Sequence, residues 1–144
     1  MDSYGKLNEV LVELFNETLD IERRYVEKGD FKDISVNDMH ILDAVGIKGE
    51  KSMSSIARLV GVTVGTLTIA MNSLVKKGYV MRSRSEKDRR VVLVTLSEKG
   101  RQAYQYHQQF HMKILQAMRE GLDEDQCKIL LQAMTNLRNQ FLNI

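Results

Sequence analysis

Apolar residues recur at helical spacing from the start of the chain. Leu7, Val10, Leu11, Leu14, Phe15, Thr18, Ile21 and Tyr25 fall on one face and predict a long amphipathic first helix. Its end is expected near Lys28-Gly29-Asp30, with Gly29 in the left-handed position beyond the last turn. A second helix is predicted from the capping residue Ser35, carrying Met39, Ile41, Leu42 and Val45 before Gly46 and Gly49 break it. Ser52 is the next cap, ahead of a short helix through Val60. Gly61 and Val62 then turn the chain into Thr63 to Lys77, closed by Gly78. Two short helices around a glycine turn form the helix-turn-helix layout.

The period then switches from helix to strand. Tyr79 to Arg84 and Arg90 to Leu96 are rich in apolar and β-branched residues and flank the polar run Ser85 to Arg89, which predicts a β-hairpin with a basic tip. Ser97 is read as the cap of a long helix with Ala103, Tyr104, His107, Phe110, His111, Ile114, Leu115 and Met118 on one face, ended by Gly121. Asp123 and Gln126 form a capping-box pair for a last helix striped with Cys127, Leu130, Leu131, Met134, Leu137 and Phe141. The fold class expected is mainly α with a small β part (α+β): a winged helix-turn-helix with long dimerisation helices. It is read as one domain over 1–144, with dimerisation helices at 1–30 and 97–144 and the DNA-binding part at 35–96. The first, fifth and sixth helices each carry a full apolar stripe, more than a lone small winged domain needs, so a homodimer is expected.

Composition narrows the class only slightly. The 144 residues are 43% hydrophobic and 28% charged, an ordinary globular balance. No run approaches the roughly 20 apolar residues of a membrane span, so no membrane partner is expected. The start has no leader-like pattern and the lone Cys127 cannot form an intrachain disulfide, so a cytoplasmic location is expected, with Cys127 a small core residue. Charge is more informative. Between Lys76 and Arg101 nine basic residues face three acids, a net +6 inside a remainder of −4. A basic segment in a mildly acidic frame is the footprint of a phosphate-contacting element.

These parts suggest how DNA would be read. An α-helix fits the major groove, with residues near its N-terminus reaching base edges. Leu67, Met71 and Leu74 are expected to face the core, leaving Thr63, Gly65, Thr66, Thr68, Ile69 and Asn72 outside. Threonine hydroxyls suit phosphates or bases, and threonine methyls suit the thymine methyl. Ser52 and Ser54 of the preceding helix, and Lys76, join this candidate DNA-binding surface. The hairpin adds Arg82, Arg84, Lys87, Arg89 and Arg90, with Asp88 expected to buttress an arginine at the tip.

The run from Asn72 to Arg82, followed by Asp88 to Gly100, resembles the MarR family of regulators. The family pattern is a leucine–basic–basic–glycine helix end, an Asp-x-Arg wing and a Leu-Thr-x-x-Gly lead into the next helix. Asp88, Arg90, Leu96 and Gly100 match it, and Ser97 stands for the threonine. The resemblance implies an obligate dimer whose first and last two helices form the interface, each subunit reading half of a pseudo-palindromic operator in double-stranded DNA. Ile69 departs from the pattern, since many members carry a basic residue there.

The effector is read in two ways. Phe31 to Ser35, Asp38-Met39-His40, Arg82 to Glu86 and the His107 to His111 segment are similar to the branch that represses fatty-acid synthesis genes in Gram-positive bacteria. That likeness implies a long-chain acyl group on acyl carrier protein as corepressor, with His40, His107, His111, Met39 and Phe110 as candidate effector residues and no cofactor required. The alternative is zinc. His107 and His111 stand i, i+4 on one helix, and with Glu22 and His40 they resemble the primary site of the zinc-responsive branch. An enzyme is not expected: no phosphate-cradling glycine loop or nucleophile elbow is present. A structural dimer that binds no DNA is the remaining alternative, and it leaves the basic hairpin unexplained.

Overall fold

Local capping sets most element boundaries in the computed structural model, which describes residues 2–143. Six helices and three strands run in the order α1 (Ser3–Lys28), α2 (Val36–Val45), β1 (Lys51–Ser52), α3 (Met53–Val60), α4 (Val64–Lys76), β2 (Val80–Arg84), β3 (Val92–Leu96), α5 (Glu98–Arg119) and α6 (Glu124–Leu142). Side chains of Asp2, Ser35, Ser52, Thr63 and Asp123 each accept the orphan amide three residues on. Ser97 does the same for the amide of Gly100 at the start of α5. Two compact units result, one ending at Phe110 and one beginning at His111.

The first unit holds the winged helix-turn-helix. Met39, Leu42, Val45, Ile56, Leu67, Met71, Leu74 and Val94 are wholly or almost wholly buried. They come from α2, α3, α4 and β3, so the two helices of the turn motif and the wing share one core. α3 and α4 meet at 104°, within the range for this motif. Gly61 makes the turn in the left-handed region (φ 81), and its amide and that of Val62 both close on the Ala57 carbonyl.

The wing is a three-stranded antiparallel sheet in the order β1-β3-β2, not the bare hairpin expected. Ser52 pairs with Leu93 in β1 while its side chain caps α3, so one residue ends a strand and starts a helix. A two-residue strand carries no alternation, which is why the sequence pattern is silent there. The hairpin is also shorter than expected. Strand pairing stops at Arg84 opposite Val92, and Arg90 belongs to the turn.

α1 buries only Glu22 and Val26 against its own unit. Leu7, Leu14 and Phe15 stay more than half exposed. Its end differs from expectation as well. Gly29 is extended (φ −85, ψ −176) rather than left-handed. A Cβ there would lie 2.6 Å from the Tyr106 ring, so glycine is needed for close approach instead of turn geometry. Tyr25 and Tyr106 stack at 4.6 Å between ring centroids beside it, each hydroxyl donating to the other's backbone carbonyl.

In the second unit, Gly121 (φ 79) breaks the chain and a reciprocal Asp123–Gln126 capping box opens α6. No residue of α6 is buried within the single chain, and Cys127 is half-buried rather than core. Ile129, Leu131 and Phe141 are more than half exposed. No single helix among the described residues is long and apolar enough to cross a membrane.

Among the glycines described, the closest backbone approach lies at Gly100. A Cβ there would meet the Tyr79 carbonyl oxygen at 2.0 Å. That same carbonyl accepts from the Ser97 amide at 3.0 Å, so the backbone cannot withdraw without losing a hydrogen bond. Gly100→Ala is therefore expected to destabilise the fold by about 1–3 kcal/mol or more, read as a lower urea midpoint. An unchanged midpoint would show that α5 can shift freely.

Candidate nucleic-acid interface

α4 presents the face the sequence pattern assigned. Leu67, Met71 and Leu74 are buried, while Thr63, Gly65, Thr66, Ile69, Asn72 and Lys76 are exposed and Thr68 is half-buried. The hydroxyls are less available than expected. Thr63 caps the helix by accepting from the Thr66 amide and donates to the Thr66 hydroxyl at 3.0 Å. Thr68 donates to the Val64 carbonyl at 2.8 Å. These bonds are local alternatives that short hydroxyl side chains take readily, and spacing alone does not reveal them. What α4 offers outward is mostly methyl groups and backbone. Ser52 is likewise engaged as a cap, whereas Ser54 is exposed.

The wing's cations are held individually. Arg82 Nη1 donates to Asn72 Oδ1 at 2.6 Å, tying β2 to α4. Arg84 Nη1 donates to the Arg89 carbonyl across the hairpin at 2.9 Å. Asp88 accepts from the Arg90 amide and from its Nε and Nη2, a two-pronged grip at 3.0–3.1 Å. This is the buttress expected at the tip. The Arg90 hydrogen bonds hold the Asp88 carboxyl below its ordinary range. Lys87 and Arg89 are exposed at the tip.

A cleft of about 340 Å³ separates the helices from the wing, lined by Ser52, Met53, Ser54, Val64 and Thr68 on one side and Arg82, Arg90, Val91 and Val92 on the other. Two guanidinium groups lining one cleft suit an anionic backbone. Lys77 and Lys99 of the same basic segment, though exposed, are bonded to the chain's own backbone. Lys77 donates to the Asp33 carbonyl, and Lys99 donates to the Lys77 carbonyl and lies 4.4 Å above the Tyr79 ring.

A family model for the transcriptional regulators SarA and Rot matches residues 26–106. The chain belongs to this MarR-type family of winged helix-turn-helix regulators. Its fold superposes on Streptococcus pneumoniae FabT, solved in complex with DNA, with a TM-score of 0.85 and 38% identity, covering 98% of each chain. It is 30% identical over 120 residues to an uncharacterised regulator of Bacillus subtilis, YfiV, covering 75% of this chain and 72% of that one. The Escherichia coli MarR bound to operator DNA shares the fold at a TM-score of 0.66 and 23% identity, covering 95% and 99%. The chain is thus a DNA-binding transcriptional regulator, and its relatives are regulators, not enzymes. Membership also explains the pattern at the end of α4. Gly78 is left-handed (φ 86) and lets the Tyr79 amide reach back to the Leu74 carbonyl, so much of that motif is a helix stop.

Away from the wing, Glu22, His40 and His107 converge inside the first unit. Both Nε2 atoms reach Glu22 Oε1, at 2.6 Å from His107 and 2.7 Å from His40. His107 Nδ1 meets Asp43 Oδ2 at 2.6 Å. Asp43 escaped the sequence reading, although Asp43 and His40 stand i, i+3 on α2. His107 has no exposed surface and Glu22 is 6% exposed. Burial pushes the Glu22 carboxyl up, but the His107 and His40 hydrogen bonds outweigh it and leave it lowered. Burial pushes His107 down, and its bonds to Asp43 and Glu22 reverse this and raise it. The fourth expected donor, His111, belongs to the second unit, where it is exposed.

Two expected effector residues pack inside the first unit. Met39 is wholly buried on the inward face of α2, and Phe110 packs on the Tyr25 ring at 5.0 Å. The groove of about 410 Å³ along α1 is lined instead by Leu19, Arg23, Val26, Glu27, Lys32, Ile34, Ser35, Val36 and Asn37. The periodicity of α2 marks Met39 as apolar but cannot separate core from cavity lining.

The buried cluster gives the fold a defined pH response. His107, raised from 6.5, contributes stability that is complete below that value and is lost as pH rises through its folded value. Glu22, lowered from 4.5, contributes above that value and loses as pH falls through its folded value. With a chelator present, the urea midpoint is expected to fall between pH 6 and pH 9, and His107→Gln to flatten that fall. An equal fall in the variant would assign the response to other groups.

Proposed function

We propose that the protein is a homodimeric repressor in which α4 and the wing of each subunit read one half of a pseudo-palindromic operator, controlling fatty-acid synthesis genes with an acylated carrier protein as corepressor. The observation that carries this reading is the end-to-end match to the DNA-bound FabT, at 38% identity with no large segment unmatched. The segments around Phe31 to Ser35 and Asp38 to His40 resemble the fatty-acid branch of the family, and the groove beside them has apolar Leu19, Val26, Ile34 and Val36 with Arg23 and Lys32, a lining suited to an acyl chain and an acidic carrier. Exposed Leu7, Leu14 and Phe15 on α1 and Ile129, Leu131 and Phe141 on α6 supply apolar surface for a second copy.

Operator binding measured with and without acylated carrier protein tests the corepressor. The expected result is tighter binding with the acylated form and no change with the unacylated form. An equal affinity in both would remove the acyl reading and leave the regulator standing. The wing is tested separately. Arg84→Ala or Arg90→Ala is expected to weaken operator binding and to reduce the slope of log affinity against log salt by about 1. A slope identical to the parent would place the phosphate contacts elsewhere.

A second reading, zinc as the effector, is favoured by the donor set of Glu22, His40 and His107, whose ligand atoms lie within 4.8 Å of one another. One carboxylate and two imidazoles fit zinc, and Asp43 on His107 Nδ1 is the supporting carboxylate such sites use. Zinc that co-purifies at one equivalent per chain and changes operator affinity on chelation would select this reading over the acyl one.

A further inference from the structure

We infer that Asn72 acts on the operator through Arg82, holding that guanidinium in place for the DNA backbone, and does not read a base. The inference rests on the regulator reading above and starts from one hydrogen bond. Asn72 lies on the exposed face of α4, where an asparagine would ordinarily be assigned to an adenine. That recognition needs both ends of the amide, the oxygen accepting from N6 and the nitrogen donating to N7. Here the oxygen is committed to Arg82 Nη1 at 2.6 Å.

The pairing also suits Arg82. It stands in β2 opposite Val94 and lines the cleft shared with Arg90, Ser54 and Thr68. A guanidinium has five N–H donors in a fixed fork, so one bond to Asn72 leaves four for a phosphate. Asn72 is neutral, so it orients Arg82 without cancelling its charge, whereas Arg90 is oriented by the carboxylate of Asp88. A free arginine must lose rotamer entropy on binding, and one already fixed has lost it in the folded protein. Asn72 is then a positioning residue, and the bond couples the placement of the wing to the recognition helix.

The test uses the full chain and an operator selected from randomised duplex, with Asn72→Ala, Arg82→Ala and the double variant. Each change lies on an exposed face, and thermal melts confirm folding. Asn72→Ala is expected to weaken binding about tenfold, by a similar factor on every member of a panel of single-base-pair operator variants. In the Arg82→Ala background the same change is expected to cost less than twofold. A loss confined to one base pair, a loss additive with that of Arg82→Ala, or no loss at all would each overturn the inference. Failure of the unmutated protein to bind any duplex would overturn the regulator reading itself, and the inference with it.

Discussion

The backbone at Tyr79 passes beneath the first turn of α5 at a distance that only a glycine at position 100 permits. Around that crossing the helix-turn-helix and the wing are assembled. The Tyr79 amide closes the end of α4, its carbonyl receives the Ser97 amide, and its next residue opens β2. The ring is fully buried, meets Phe31 edge-on at 6.3 Å and donates its hydroxyl to Asp33 in the α1–α2 connection. Burial, and then the Asp33 bond, drive the phenol far above its ordinary range and hold it as the neutral donor. One residue therefore fixes the recognition helix, the wing and the root of α5 relative to one another. This joint acts together with the Arg82–Asn72 bond, which ties β2 directly to α4.

A second junction lies on the other side of the core. Glu22 from α1, His40 and Asp43 from α2 and His107 from α5 form a chain of alternating acid and imidazole, and its members have opposite preferences for burial and pairing. A buried imidazole bonded to carboxylates through both nitrogens is favoured as the cation. Glu22 and His107 are the buried members and each has two partners, so losing one partner would leave a buried charge with half of its compensating bonds. The network thus ties the long helices to α2, whose inward face also carries the core of the DNA-reading part.

Much of this was legible in the sequence where a local rule governs. The caps at Ser35, Ser52 and Asp123, the turn at Gly61 and the core face Leu67, Met71 and Leu74 all follow from spacing and residue chemistry. The candidate DNA-binding surface was legible as a set of residues that the fold brings to one side, because a basic hairpin following a small-residue helix is visible in one dimension. Its internal bonding was not. Thr68 bonds its own helix, Lys77 and Lys99 bond nearby backbone carbonyls, and Arg82 meets Asn72 ten positions away, and none of these choices has a period. Gly29 shows the same limit. A glycine after a helix reads as a left-handed stop, but its reason here is the Tyr106 ring, 77 positions along the chain. Strand β1 was missed because two residues paired at long range leave no pattern.

The hydroxyl bonds within α4 have a thermodynamic consequence. Between Thr63 and Val75 the recognition helix carries no charged side chain, Thr63 and Thr68 have turned their oxygens back on their own helix, and Ile69 is 76% exposed. A surface built this way meets a major groove mainly as hydrocarbon, matching the methyls of thymine rather than exchanging ions. On the proposed reading its share of the binding free energy would appear as a negative heat-capacity change, and the arginines of the wing would account for released counterions. Temperature and ionic strength would then act on different halves of the same interface.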